Sequence, residues 1–233
     1  MRANGVGKGR IVYAIVGRAD WIRGYYAIVD VKPETLGDLA ALEATTVKRL
    51  AAGPCCLQLR AKGADGAATY AAALRMRDLC QAAGVPFCVN DRLDVALAVG
   101  ADVVHLGQDD LPLAEARRVR ALAKAERMLI GFSTHNRPQA LAAAEGGADY
   151  LGFGPVFSTA SKANADPTVG LSALAEVCRV VTVPVVAIGG IGLESVSAVA
   201  RAGAAAAAVI AAMDGAADPT AAGREIARAF ARL

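Results

Sequence analysis

The chain has 233 residues, of which 55% are hydrophobic and 20% are charged, and its formal net charge is +3. This is the composition of an ordinary soluble globular protein, and the length fits one large α/β domain or two small ones. Lysines and arginines are scattered and aromatic residues make up only 5%. We therefore do not expect nucleic acid as a partner, whereas small anionic molecules are compatible with this charge.

No segment has the pattern of a membrane anchor or a targeting signal. The longest apolar runs, residues 183–188 and 204–213, are too short to cross a bilayer. The apolar segment 11–16 is short and is followed closely by charged residues, so a signal peptide is not expected. The five cysteines are odd in number and show no paired metal-ligand spacing. This favours free thiols in a reducing cytoplasm.

Short apolar runs alternate with longer amphipathic segments from Tyr25 onward. Strands are predicted at 25–29, 55–59, 86–89, 103–106, 128–132, 150–153, 183–188 and 206–210. Helices are predicted at 36–52, 66–83, 113–125, 138–145, 171–180, 193–202 and 220–233. Eight such strand–helix units predict a single-domain (β/α)8 TIM barrel over residues 24–233, preceded by an N-terminal extension or barrel cap at 1–23. An open doubly wound sheet is the alternative, but no GxGxxG motif follows the first strand.

Polar residues collect at the ends of several predicted strands, as the mouth of a barrel requires. Gln58, Arg60 and Lys62 are two residues apart in the second strand, so they share one face of it. An amide and two cations inside a barrel need a ligand or partners, which favours a site for a diphosphate or a polar ring over a salt-bridged strand end. Asp30 ends the first strand and is as compatible with a helix cap as with a ligand.

Two neighbouring strand ends carry aspartates, Asp91 after the third strand and Asp110 after the fourth. Together they indicate a magnesium site, because Mg²⁺ binds one or two carboxylates together with substrate phosphate oxygens and water. Taken singly, each aspartate is equally compatible with an N-cap, of the helix 92–99 or of the helix after Pro112. His105 falls inside the fourth strand, where a structural hydrogen-bonded role is favoured.

The later strands end in hydroxyls, glycines and a long loop. Ser133 can hold the edge of a heterocycle or cap the next helix, and His135 has no carboxylate in the sequence to pair with it as a base. The segment from 154 to 170 is long for a βα loop and carries hydroxyls and Lys162, which suits an anion. The glycines at 189, 190 and 192 allow a phosphate to approach the backbone, although plain turn chemistry explains them equally well.

Six segments in order resemble thiamine-phosphate synthase across nearly the whole chain from Tyr26. They read QLRAK at 58–62, NDR at 90–92, HLGQDD at 105–110, GFSTH at 131–135, GFGPVFSTASK at 152–162 and AIGGI at 187–191. Each segment is weak alone, but six in order at predicted strand ends form a specific signature. The resemblance implies a transferase of thiamine biosynthesis with a TIM-barrel fold. It would join 4-amino-2-methyl-5-(diphosphooxymethyl)pyrimidine to a thiazole phosphate, releasing diphosphate.

The resemblance also implies roles for individual residues. The pyrimidine diphosphate would be held by Gln58, Arg60, Lys62, Asn90, Ser133 and Lys162, of which Arg60, Lys62, Ser133 and Lys162 would also be catalytic. Asp91 and Asp110 would bind Mg²⁺. The thiazole phosphate would be held by Thr159, Ser161, Gly190, Ile210 and Ala211. The expected partners are these small phosphorylated substrates, with a homo-oligomer as a further possibility and no membrane.

The sequence departs from the family pattern mostly on the side of the thiazole phosphate. Ala61 stands where the family usually has glutamate, Ser158 where it has proline, and Ser161 where it has threonine. Ala205 and Ala211 replace an aspartate and a serine around the eighth strand, so Ala211 could offer only its backbone N–H. Three alternatives remain: a thiazole tautomerase-like barrel, a non-catalytic barrel that binds a thiamine precursor or a partner protein, and a generic phosphate-binding isomerase or aldolase barrel. Retention of Asp91, Asp110, Arg60 and Lys162 argues against the first, retention of the two aspartates argues against the second, and no Schiff-base lysine or positioned base stands out for the third.

Overall fold

Eight parallel strands form a closed barrel in which each strand pairs with the next and β8 pairs with β1. The structure is a computed structural model that describes residues 19–159 and 167–231. The strands are β1 Gly24–Asp30, β2 Cys56–Arg60, β3 Phe87–Asn90, β4 Val103–Leu106, β5 Leu129–Thr134, β6 Tyr150–Phe153, β7 Val185–Ile188 and β8 Ala206–Val209. The predicted (β/α)8 barrel is confirmed, and the open sheet is excluded. Residues 1–18 of the predicted extension lie outside the described residues.

Helices follow the strands and surround the barrel. They are α1 Leu39–Ala51, α2 Gly66–Ala83, α3 Leu93–Val99, α4 Leu113–Leu122, α5 Arg137–Glu145, α6 Gly170–Val180, α7 Leu193–Arg201, α8 Ala211–Asp214 and α9 Pro219–Ala231. The first begins later than predicted because Pro33–Thr35 form a 3-10 turn and the Asp38 side chain then caps the helix at Ala41 N, 3.0 Å away. The four-residue α8 was not predicted. None of the helices in the described parts of the chain is long and apolar enough to span a membrane.

Two apolar layers result from the alternation of side chains along each strand. In β1, Tyr25, Ala27 and Val29 pack outward with the helices, whereas Tyr26 and Ile28 point into the barrel. Residues just before β1 belong to the inner layer, since Ala19 and Ile22 are buried in the same cluster as Tyr26 and Ile28. The inward-facing positions near the carboxyl ends of the strands are therefore the ones that can build a site.

Small residues make room for large rings inside the barrel. A Cβ at Gly131 of β5 would overlap the rings of Tyr150 and His105, and a Cβ at Gly152 of β6 would lie 3.1 Å from His105 Cε1. Ala206 and Ala208 of β8 complete the inner layer opposite. The absence of side chains at these glycines lets two aromatic side chains and an imidazole meet within a barrel that would otherwise be filled by branched apolar residues.

Candidate active site

A cavity of about 630 Å³ opens at the carboxyl ends of the strands, the end at which barrels of this type carry their active sites. Of the thirteen residues predicted for the site, the cavity is lined by eleven: Gln58, Arg60, Lys62, Asn90, Asp91, Asp110, Ser133, Thr159, Gly190, Ile210 and Ala211. The other two, Ser161 and Lys162, lie outside the described residues. The structure therefore brings the described members of the predicted set together in one place, while their individual roles stay predictions.

The three polar side chains of β2 and its following loop face the cavity, as their spacing predicted. Gln58 is buried at the base, Arg60 is half-buried above it, and Lys62 is exposed at the rim. Asp30 at the end of β1 accepts two hydrogen bonds from Arg60 Nη1, at 2.7 and 2.8 Å. Asp30 is therefore neither a cap nor part of the lining. Its carboxylate orients the guanidinium and balances its charge.

Asp91 and Asp110 meet across the ends of β3 and β4. The Asp91 side chain hydrogen-bonds to Asp110, and burial together with the neighbouring Asp110 carboxylate raises the pKa of Asp91 to about 6. Asp110 Oδ2 accepts from the backbone N of Gly107 at 2.6 Å. Two carboxylates this close favour sharing a proton or binding a cation, because both cannot be ionised without repulsion.

The alternative that these aspartates cap helices is wrong. The N-cap of α3 is Arg92 and that of α4 is Pro112, and neither makes a capping side-chain hydrogen bond. Asp91 itself adopts a left-handed backbone conformation, φ 62°. Non-glycine residues rarely hold this conformation, and they do so preferentially at functional sites.

The acidic pair fits a magnesium ion that is shared with a substrate. Within the described residues no group of three or more His, Cys, Asp or Glu side chains could hold a metal alone. Mg²⁺ does not need such a cage, because it usually retains waters and completes its shell with phosphate oxygens. Asp91 and Asp110 are two carboxylates that such an arrangement could use. They lie on the same cavity lining as Arg60 and Lys62.

Below the cavity, a chain of buried hydrogen bonds crosses the barrel. Gln58 Nε2 donates to Tyr26 Oη at 3.0 Å, and the two tyrosine hydroxyls lie 2.9 Å apart. His105 Nδ1 lies 2.9 Å from Tyr150 Oη, and His105 Nε2 lies 2.9 Å from Ser133 Oγ. The predicted structural role of His105 is confirmed. Sequence reasoning missed both tyrosines, although the glycines at 131 and 152 inside predicted strands were a signal that large groups pass nearby.

The remaining polar residues of β5 and its loop hold neighbouring segments together. Thr134 Oγ1 donates to Gly152 O at 2.9 Å, and His135 Nδ1 donates to Gly154 O at 2.6 Å. Ser133 does not cap the next helix, because the Asn136 side chain accepts from Gln139 N at 3.0 Å and serves as the cap of α5. Ser133 therefore has no capping role, and it faces the cavity from within β5.

The opposite wall is built from the loops after β6, β7 and β8. Gly190 has φ 63°, and a Cβ there would overlap Ser158 O and the Phe157 side chain, so the loop after β6 packs directly on it. Phe157 N donates to Gly189 O at 3.0 Å. The packing of the loop after β6 therefore explains why these positions are glycines. The Gly190 backbone is also exposed in the cavity, where a ligand could contact it. Ala211 begins α8, so its N–H lies at the start of a helix on the same lining.

The chain is similar to several known proteins. A family model described as thiamine monophosphate synthase matches residues 25–213. The chain is 46% identical to the thiamine-phosphate synthase of Chloroflexus aurantiacus over 187 residues, which is 80% of this chain and 82% of the relative. It is 49% identical to that of Anaeromyxobacter dehalogenans over 178 residues, covering 76% and 78% of the two chains.

The chain belongs to the thiamine monophosphate synthase family. A solved structure of the thiamine phosphate pyrophosphorylase from Pyrococcus furiosus superposes with a TM-score of 0.76 at 33% identity, over 92% of this chain and 98% of that one. Against the family pattern expected from sequence, Ala61 is half-buried and packs against the hydrophobic core beside Arg60. The carboxylate that contacts Arg60 in this chain is that of Asp30 of β1.

Proposed function

We propose that the chain is a thiamine-phosphate synthase. It would transfer the pyrimidinylmethyl group of 4-amino-2-methyl-5-(diphosphooxymethyl)pyrimidine to the ring nitrogen of a thiazole phosphate. The observation that carries the proposal is the single cavity that unites two cations, a carboxylate pair and Ser133 on one wall with backbone N–H groups on the other. Membership of the family and the similarity to named synthases support the same reaction.

In this proposal the wall formed by β2 to β5 binds the pyrimidine diphosphate. Arg60 and Lys62 bind the diphosphate oxygens, and Gln58, Asn90 and Ser133 hold the substrate with hydrogen bonds. Asp91 and Asp110 would hold Mg²⁺, which when bound supplies positive charge to the leaving diphosphate. The loop that contains Lys162, outside the described residues, would add a further cation.

The proposed reaction breaks the bond between the methylene carbon and the diphosphate oxygen, and the electron pair leaves with diphosphate. The thiazole nitrogen then donates its lone pair to the methylene carbon, so the product carries a positively charged thiazolium ring. Negative charge grows on the leaving oxygens, where Arg60, Lys62 and the Ser133 hydroxyl can stabilise it by several kcal/mol. No proton is removed from either reacting atom, so the site needs no general base.

The opposite wall would bind the thiazole phosphate. Thr159 and the backbone N–H groups of Gly190 and Ala211 line this side, with Ser161 adding a hydroxyl in the predicted scheme. A helix start and an exposed glycine backbone suit a phosphate because backbone N–H groups at such positions can donate to an anion. Holding both rings in one cavity replaces a bimolecular encounter by an oriented one.

The test is incubation of the full chain with both substrates and MgCl₂, followed by chromatography for thiamine phosphate and diphosphate. We expect equimolar products that disappear when either substrate is left out or when EDTA is added. Asp110→Asn keeps an acceptor for the Gly107 N–H but loses the charge, so magnesium-dependent turnover should fall at least about a hundredfold. Asp109→Asn, at the exposed neighbouring aspartate, is the matched control and should remain active. No product from folded wild-type protein would refute the proposal.

A further inference from the structure

The buried hydrogen-bond chain between Gln58 and Ser133 has a direction, and that direction determines what the Ser133 hydroxyl offers to the cavity. The five groups come from β2, β1, β6, β4 and β5, so they link strands that are distant around the barrel. Gln58 is buried and both tyrosines are almost fully buried. These three buried groups must therefore find their hydrogen-bond partners inside the barrel, in this chain or at the neighbouring Cys88 thiol.

The direction follows from the Gln58 end. Its amide nitrogen can only donate, and it donates to Tyr26 Oη at 3.0 Å and to Cys88 Sγ at 3.5 Å. Burial raises the pKa of both tyrosines well above the usual value of a phenol, so each keeps one O–H to donate. Because Tyr26 Oη already accepts from the amide, its own proton is directed to Tyr150 Oη.

The remaining hydrogen bonds have the same direction from donor to acceptor. Tyr150 accepts from Tyr26 and donates its proton to His105 Nδ1, which must then be the unprotonated ring nitrogen. The ring proton lies on Nε2 and is donated to Ser133 Oγ, 2.9 Å away. The reverse direction would give Tyr26 Oη two incoming donors and direct its own proton to a buried thiol, which is a weak acceptor.

We propose that His105, held as the Nε2–H tautomer by Tyr150 and Tyr26, is a positioning residue that directs the Ser133 hydroxyl proton into the cavity. Resting on the proposed function, this makes Ser133 a donor to the oxygens that gain charge as diphosphate leaves. If the hydrogen bonds ran in the opposite direction, Ser133 would donate its proton to His105, and only the lone pairs of its oxygen would face an anion. A preorganised donor at that point stabilises the transition state without reorganisation.

The tautomer can be observed directly. The chain contains two histidines, and His135 serves as an internal reference because its Nδ1 donates to the Gly154 carbonyl. Long-range ¹H–¹⁵N correlation spectra of the ¹⁵N-labelled full chain should show His105 protonated at Nε2 and His135 protonated at Nδ1. A His105 ring protonated at Nδ1 would overturn the proposal, and this readout needs neither substrate nor activity.

Tyr150→Phe removes the donor to His105 Nδ1 while keeping the ring. We expect the His105 resonances to move towards a mixture of tautomers, the His135 resonances to stay, and kcat to fall about tenfold with an unchanged KM for the thiazole phosphate. The matched control is Tyr25→Phe, because Tyr25 is the buried tyrosine next to Tyr26 but faces the helices, and among the described residues its hydroxyl has no hydrogen-bond partner.

Tyr25→Phe should leave both histidines and kcat within about twofold of the wild type. Unmoved His105 resonances in Tyr150→Phe would refute the hydrogen-bond chain. Moved resonances with an unchanged kcat would refute the positioning role. If the wild-type chain made no product at all, the proposed function would fail while the spectra would still decide the direction of the hydrogen bonds.

Discussion

Asp91 should destabilise the metal-free protein, so Asp91→Asn is expected to stabilise it at alkaline pH. The carboxyl group is half-buried beside Asp110, and its pKa is raised from 3.8 to about 6. A raised pKa means that the folded chain holds this proton more tightly than the unfolded chain. The resulting penalty appears as the pH rises from about 4 to 6 and is fully present above that range.

The magnitude follows from the size of the shift. Each pKa unit corresponds to about 1.4 kcal/mol, so the full shift would amount to about 3 kcal/mol for a group without solvent access. Because Asp91 is only half-buried, solvent screening reduces the expected penalty to about 1 kcal/mol. Asparagine also tolerates the left-handed conformation at this position, so the substitution adds no backbone strain. For a chain of this length we expect the Tm to rise by about 2–4 °C at pH 8.

Calorimetry of the wild type and Asp91→Asn at pH 8 and pH 5, both in EDTA, tests this reasoning. At pH 5, midway through the range in which the penalty develops, the Tm difference should be about half of that at pH 8. MgCl₂ with the pyrimidine diphosphate should stabilise the wild type and not the variant. Asp109→Asn, at an exposed position, controls for the loss of one negative charge. An equal Tm difference at both pH values, or none at pH 8, would refute the electrostatic explanation.

Three further predictions concern the Arg60 ion pair, a glycine inside the barrel and the buried thiols. Asp30→Ala removes the acceptor of two hydrogen bonds from Arg60, so kcat/KM for the pyrimidine diphosphate should fall about fivefold in steady-state assays. Gly131→Ala places a methyl group onto two buried rings and should cost about 1–3 kcal/mol in denaturant unfolding, whereas Gly37→Ala, with open space around it, should cost little. Burial raises the pKa of the Cys178 thiol to about 11 and those of Cys55 and Cys80 to about 12, so these thiols in native protein at pH 8 should react far more slowly with a thiol reagent than in unfolded protein.

The barrel itself was predictable because its signals are local. Eight short apolar runs separated by amphipathic segments predict parallel strands, and the two-residue spacing of Gln58, Arg60 and Lys62 placed all three on the inner face. Element ends were less predictable, since α1 begins at Leu39 rather than residue 36 and α8 has only four residues. Such short turns depend on packing around the barrel rather than on sequence periodicity.

The interior hydrogen-bond chain could not be predicted, because its links are non-local. Tyr26 and Tyr150 are 124 residues apart in sequence and meet only when the barrel closes and brings the interior faces of β1 and β6 together. In the sequence, each tyrosine looks like an ordinary apolar residue of a strand. The role of the two aspartates was ambiguous in the sequence, because both occupy positions from which a short polar side chain commonly caps a helix. Only the closed barrel brings Asp91 against Asp110.

The charges on the cavity lining bear on why a divalent cation would be needed there. Among the lining residues that the structure describes, Arg60 and Lys62 face four carboxylates, those of Asp91, Asp109, Asp110 and Glu194. The charge of Arg60 is moreover balanced by Asp30, outside the lining. A diphosphate entering this cavity would meet net negative charge on these side chains, which opposes binding. A magnesium ion held by Asp91 and Asp110 would offset much of that negative charge, and Asp91, which destabilises the metal-free protein, would then help to hold the ion. The destabilising position of Asp91 and the proposed magnesium requirement are thus two consequences of one arrangement of charges.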